Sequence, residues 1–244
     1  MNFRIHLLAL SCLLLLSFAS PAQDDPRVKS VREHFANGNT FMKQAKWQEA
    51  IGEFTEVIKL YPQYTDAYFN RAFAYDRLGK YVESVADYTT AIKLYPNDPG
   101  AYNNRGLAYA RLKRYHAAVY DFSVAITLDI HFTEAYNNRG FYNSILGKYE
   151  KAIPDFDRAV RLNPSYGYAY QNRGFAYFKL KNYNQAITDY NTAIAKNPKH
   201  AMAYLNRGNC HNVMGARDKA CLDWMKAATL GLREADEKVA QFCK

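Results

Sequence analysis

The chain repeats itself every 34 residues. Displaced by that interval, "AYFNRAFAYDRLGKYVESVADYTTAIKLYP" lies over "AYNNRGLAYARLKRYHAAVYDFSVAITLDI", then over "AYNNRGFYNSILGKYEKAIPDFDRAVRLNP" and "AYQNRGFAYFKLKNYNQAITDYNTAIAKNP", without a gap. The register weakens but persists at the two ends, in "HFANGNTFMKQAKWQEAIGEFTEVIKLYP" and "AYLNRGNCHNVMGARDKACLDWMKAATLG". Six units are therefore expected, at 31–64, 65–98, 99–132, 133–166, 167–200 and 201–234. A period of this length implies stacked supersecondary units, each unable to bury its apolar face alone.

Counting from the first residue of a unit, aromatics recur at positions 4, 11, 17 and 24, small residues at 8, 20 and 27, and proline at 32. This use of one residue class at fixed places accounts for the 15% aromatic content, with 21 tyrosines. Two amphipathic helices explain the spacing. Tyr102, Gly106 and Tyr109 share one stripe, and after a turn near Lys113 the residues Ala118, Phe122 and Ala125 share a second. Small side chains let the paired backbones approach, and the aromatics fill the space beside them. Proline at Pro62, Pro96, Pro164 and Pro198 ends the second helix.

These aromatic, Leu-Gly, Tyr, Ala, Phe/Tyr and Pro positions resemble the tetratricopeptide repeat family over residues 31 to 234. The resemblance implies an all-α, right-handed superhelical solenoid of six helix-turn-helix repeats, with first helices lining a concave groove and a capping helix at the C-terminus. Ala72 stands in place of a glycine, Ile130 in place of a proline, and Pro154 falls inside a second helix. Position 7 is arginine in five units, Arg71, Arg105, Arg139, Arg173 and Arg207, and each of these units has aspartate at position 23: Asp87, Asp121, Asp155, Asp189 and Asp223. An ion-pair ladder follows, and the sequence leaves open whether each pair lies within a unit or joins two.

Residues 1–22 read as a secretory signal peptide. Arg4 precedes an apolar run from Leu7 to Ala19 that is short for a bilayer, and Ser20 and Ala22 suit cleavage after Ala22. Export to the periplasm or beyond is the expectation. Residues 23–30 read as a linker, and 235–244 as a capping helix with Ala235, Val239 and Phe242 on one side. The remaining three cysteines cluster at the C-terminal end. Cys221 with Cys243, on helices expected to pack together, is the favoured disulfide, and Cys210 with Cys221 the alternative.

Few chemical functions fit. No phosphate loop, nucleophile elbow or paired metal motif is present, and His200, Cys210, His211 and Cys221 match no common zinc spacing. Neither an enzyme, a metal site nor a cofactor is expected. The formal charge of +9 is spread through all repeats and interleaved with acids, unlike the runs that bind nucleic acid.

A binding groove for a protein or peptide is the expected function, with a glycan- or peptidoglycan-binding module as the alternative. At 100° per residue, position 6 lies about 200° from position 4 and so faces away from the packed stripe. Three sets share that arc: asparagines at position 6 (Asn70, Asn104, Asn138, Asn172, Asn206), apolar residues at position 9 (Phe73, Leu107, Phe141, Phe175) and basic residues at position 13 (Lys43, Arg77, Arg111, Lys179). Asparagine both donates to and accepts from a peptide backbone, while the other two sets would select side chains.

Overall fold

The structure, a computed structural model, describes residues 25–243. The expected signal peptide lies outside them. Every regular element among the described residues is an α-helix, in two compact units that divide at Asp129 and Ile130. The first holds α1 (Pro26–Lys43), α2 (Trp47–Leu60), α3 (Thr65–Arg77), α4 (Tyr81–Leu94), α5 (Pro99–Arg111) and α6 (Tyr115–Leu128). The second holds α7 (Thr133–Ile145), α8 (Tyr149–Leu162), α9 (Gly167–Lys179), α10 (Tyr183–Lys196), α11 (Ala201–Val213), α12 (Arg217–Thr229) and α13 (Arg233–Phe242). Odd-numbered α1 to α11 are first helices of a pair, and even-numbered α2 to α12 are second helices.

Each pair closes where the pattern of small residues predicts. A Cβ added to Gly106 would lie 2.8 Å from the Phe122 ring, and one on Gly140 would lie 2.8 Å from Phe156. Hydrogen at position 8 therefore lets the aromatic at position 24 fill the gap, and Phe122 and Phe156 are fully buried. The turn inside each pair puts position 15 in the left-handed region, with φ of 75° at Gly79 and Gly147. Ala45, Lys113 and Lys181 adopt the same conformation with a side chain, φ 56°, 59° and 62°, so three of these turns carry backbone strain.

Two features depart from expectation at the N-terminal end and in the middle of the chain. The segment read as a linker is helical from Pro26, because Asp25 accepts from the Arg27 amide and Pro26 supplies a preset φ at the first turn. In the third pair α6 ends at Leu128 although Ile130 replaces the proline, so proline reinforces a stop that the turn already makes. Helix α8 runs through Pro154 without a break in its assignment.

The arginine ladder answers the question left open by sequence: each arginine joins its own pair, and Arg71, Arg105, Arg173 and Arg207 are seen to reach the preceding one as well. Arg71 donates from Nε and Nη2 to the two oxygens of Asp87, at 2.7 and 2.8 Å, and from Nη1 to the Thr55 hydroxyl at 3.0 Å. Arg105 makes the same forked contact with Asp121, both at 2.8 Å, and reaches Thr89 at 3.1 Å. Arg139 forks onto Asp155, Arg173 onto Asp189 and Arg207 onto Asp223. Arg173 also donates to Asp157, and Arg207 to Asn191, on the preceding second helix. Tyrosine rings at position 4 lie over each guanidinium, with Tyr102 5.5 Å from Arg105 and Tyr170 5.5 Å from Arg173. The planar fork explains why arginine occupies the position, since a lysine could not make three directed bonds of this kind.

The last helix closes the second unit. Ala235, Val239 and Phe242 of α13 pack on a cluster with Leu205, Ala220, Trp224 and Ala227. Cys221 and Cys243 are disulfide-bonded, as expected, with Cα atoms 5.6 Å apart. Cys210 is buried and free, so it is not the partner of Cys221.

Candidate binding face of the first helices

Within each unit the first helices touch one another directly: α1 with α3 and α3 with α5 in one, α7 with α9 and α9 with α11 in the other. In each unit they form a layer whose outer part is the candidate site. The three sets of residues expected there are not equally exposed.

The asparagines at position 6 are largely internal. Asn70 is fully buried and donates to the Asn39 side chain at 3.1 Å, bridging α3 and α1. Asn104 is buried and accepts from the Asn103 amide at 3.3 Å. Asn172 is half-buried and donates to Asn137 at 3.0 Å, across α9 and α7, while Asn138 and Asn206 are half-buried. The expectation that Asn70 and Asn104 face a ligand is thus corrected. The 200° argument assumes one packed stripe per helix, whereas a first helix here packs on its own second helix, on the second helix before it and on adjacent first helices. Position 6 falls against the neighbouring first helix.

Position 9 divides. Phe73 is buried, its ring 6.1 Å from Trp47, and is a core residue instead of a ligand contact. Leu107 and Phe175 are half-buried, with Phe175 edge-on to Tyr149. Phe141 is 39% exposed. Position 13 is open throughout: Lys43, Arg77, Arg111 and Lys179 are exposed. Two residues that sequence reasoning passed over belong to the same face. Ile145 occupies position 13 of α7 and is 50% exposed, and Trp47 holds the Arg77 guanidinium over its ring at 5.3 Å. An apolar residue at a position that is basic in four of the six units was the available signal for Ile145.

The internal asparagines lead to a stability prediction. Asn70→Ala should cost about 1–3 kcal/mol, because it strands the buried Asn39 oxygen without its donor. Asn206→Ala should stay within about 0.5 kcal/mol, as an ordinary half-exposed substitution. Urea unfolding of both variants checks this, and equal midpoints would remove the structural role given to Asn70.

No group of three or more His, Cys, Asp or Glu residues among the described residues has metal-binding geometry. Burial pushes the Cys210 thiol up to about 12, with Asp223 adding to the shift, so this sulfur is held protonated. No helix among the described residues is long and apolar enough to cross a membrane.

With a helix-pair stack, a small residue against an aromatic in each pair and first-helix layers on the page, comparison with known proteins places the class. Tetratricopeptide repeat models match residues 38–64, 53–86, 99–129, 133–166 and 167–200, and a TPR repeat model matches 77–113. The chain belongs to the tetratricopeptide repeat family. No curated protein is a significant sequence match. Among solved structures, the chain is similar to the Pseudomonas aeruginosa protein pilF, with a TM-score of 0.75 at 19% identity over 89% of this chain and 100% of that one. It is also similar to MamA, with a TM-score of 0.64 at 21% identity over 71% of this chain and 94% of that one. A third is YrrB, described as a TPR protein with an unusual peptide-binding site, with a TM-score of 0.62 at 23% identity over 74% and 93%. At these identities the likeness concerns the fold.

Proposed function

We propose that the protein is a non-catalytic scaffold that holds an extended segment of a partner protein on the exposed face of its first helices. The observation that carries this reading is the pair Phe141 and Ile145. They stand one helical turn apart on α7, 39% and 50% exposed, on a layer where neighbouring positions are packed. In the same unit Phe175 and Lys179 of α9 add a half-buried apolar residue and an exposed cation, and within the first unit Leu107, Lys43, Arg77 and Arg111 supply residues of the same two kinds. Tetratricopeptide repeats serve widely as protein-binding modules, and a structural relative, YrrB, has a peptide-binding site. The Cys221–Cys243 disulfide suits an oxidising compartment, which agrees with an exported protein.

Site-specific photocrosslinking tests the choice of face. A photoreactive residue at 141 or 145, in the full chain expressed in its native cells, should give discrete protein adducts. The same residue at 120 or 222 should not, although Tyr120 and Leu222 on second helices are more exposed, at 67% and 65%. Adducts formed equally or preferentially from 120 and 222 would reject the first-helix face.

A further inference from the structure

We propose that the first helices of the 25–129 unit select an acidic segment whose carboxylates recur at about every third residue. The inference rests on the scaffold reading for the class of partner and adds its chemistry. Lys43, Arg77 and Arg111 occupy the same position on α1, α3 and α5, all three are exposed, and none forms an ion pair among the described residues. Arg71 and Arg105, on the same helices, are by contrast committed to Asp87 and Asp121.

A cation in the last turn of a helix also offsets the helix dipole, so that alternative has to be weighed. The second unit weighs against it. Helix α7 ends at the same position in Ile145 and has no basic residue in its last turn, so terminating a first helix in this protein does not require a cation there. Arg77 is further held in place: its guanidinium lies over Trp47, and Trp47 is fixed against Phe73. Stacking takes one face of the guanidinium and leaves its edge donors free for a carboxylate.

The spacing follows from packing. Helices in contact lie about 8–10 Å apart, and an extended peptide advances about 3.3 Å per residue. Crossing α1, α3 and α5 in turn therefore takes about three residues per cation, which matches acids at i, i+3 and i+6. A single-stranded nucleic acid also carries repeated negative charge, but its non-specific sites pair cations with open aromatic platforms, and the Trp47 ring is covered by Arg77. Asp76 interacts electrostatically with Arg111 and Arg77. Its carboxyl is raised by burial, against the opposing pull of Arg111 and Arg77, and it weakens the positive field at this face.

Fluorescence anisotropy with labelled peptides and the full mature chain tests the proposal. The probes are a peptide with three glutamates spaced by two Gly/Ser residues, the same composition with the glutamates contiguous, a lysine counterpart, and oligo-dT. The spaced acidic peptide should bind, weaken with added salt, and bind about three-fold or more tightly than the contiguous one. Arg77→Glu with Arg111→Glu should weaken it about ten-fold or more, and Asp76→Asn should tighten it about two- to five-fold. Circular dichroism verifies folding, with the Gln pair at 77 and 111 as the milder variant. Equal binding of the spaced and contiguous peptides, or indifference to both double variants, overturns the inference. Preferential binding of oligo-dT overturns it too. Crosslinks from 141 and 145 that persist in any of these cases would leave the scaffold reading standing.

Discussion

Asp121→Ala is expected to destabilise the helix pairs around it by about 3–5 kcal/mol, the cost of stranding a buried partner charge. In the native protein the Asp121 side chain is 1% exposed and Arg105 13% exposed. Without Asp121 the guanidinium keeps its bond to Thr89 and its contacts with the Tyr102 and Tyr109 rings, but loses both bonds to a carboxylate. Urea unfolding measures the loss, and amide exchange should place it in α5 and α6. The pair itself is a different matter. Burial raises the Asp121 carboxyl above the ordinary aspartate value even with Arg105 against it, so desolvation offsets much of the attraction. Arg105→Met with Asp121→Leu should therefore cost less than Asp121→Ala alone. A double variant at least as unstable as the single one would show that the ladder stabilises through the pair and not merely by avoiding a stranded charge. Lys59→Ala, which removes one partner of an exposed pair with Glu56, should leave the urea midpoint nearly unchanged.

Removing the disulfide should have the next largest effect, confined to one end. Closing a loop between residues 22 apart stabilises by roughly 2–4 kcal/mol, so Cys243→Ser should lower the stability of α13 and α12 by that order. Phe242 should lose its place 5.6 Å from Trp224, and Arg217 its acceptor, the Phe242 carbonyl at 2.7 Å. Exchange of α13 amides should accelerate while α3 to α6 remain protected, because in a repeat stack each pair is stabilised by its neighbours. Uniform loss of protection through both units would contradict this. Mass spectrometry of the unreduced protein should find one intramolecular bond and a free Cys210, whose burial keeps it from exchanging with the bonded pair.

Position within the repeat is a local property, and what depends on it was legible in the residues. Gly106 against Phe122, the turn at Gly79, and the matched arginines and aspartates all follow from a 34-residue register that six copies reinforce. Family membership followed from the same pattern. Cys221 and Cys243 were legible for a related reason, since the cap must pack on the last second helix. Exposure was not. A helical period gives a residue's angle about its own axis, but burial depends on helices contributed by the repeats on either side. Asn70 and Phe73 lie on the arc opposite the first packed stripe and are buried there by α1 and Trp47, whereas Phe141 and Ile145 on α7 stay open. The reach of Arg71 to Thr55 in the preceding pair has the same origin. Sequence determined which residues recur and how each helix is built; the stacking of one pair on the next decided which recurrences became core and which were left to meet a partner.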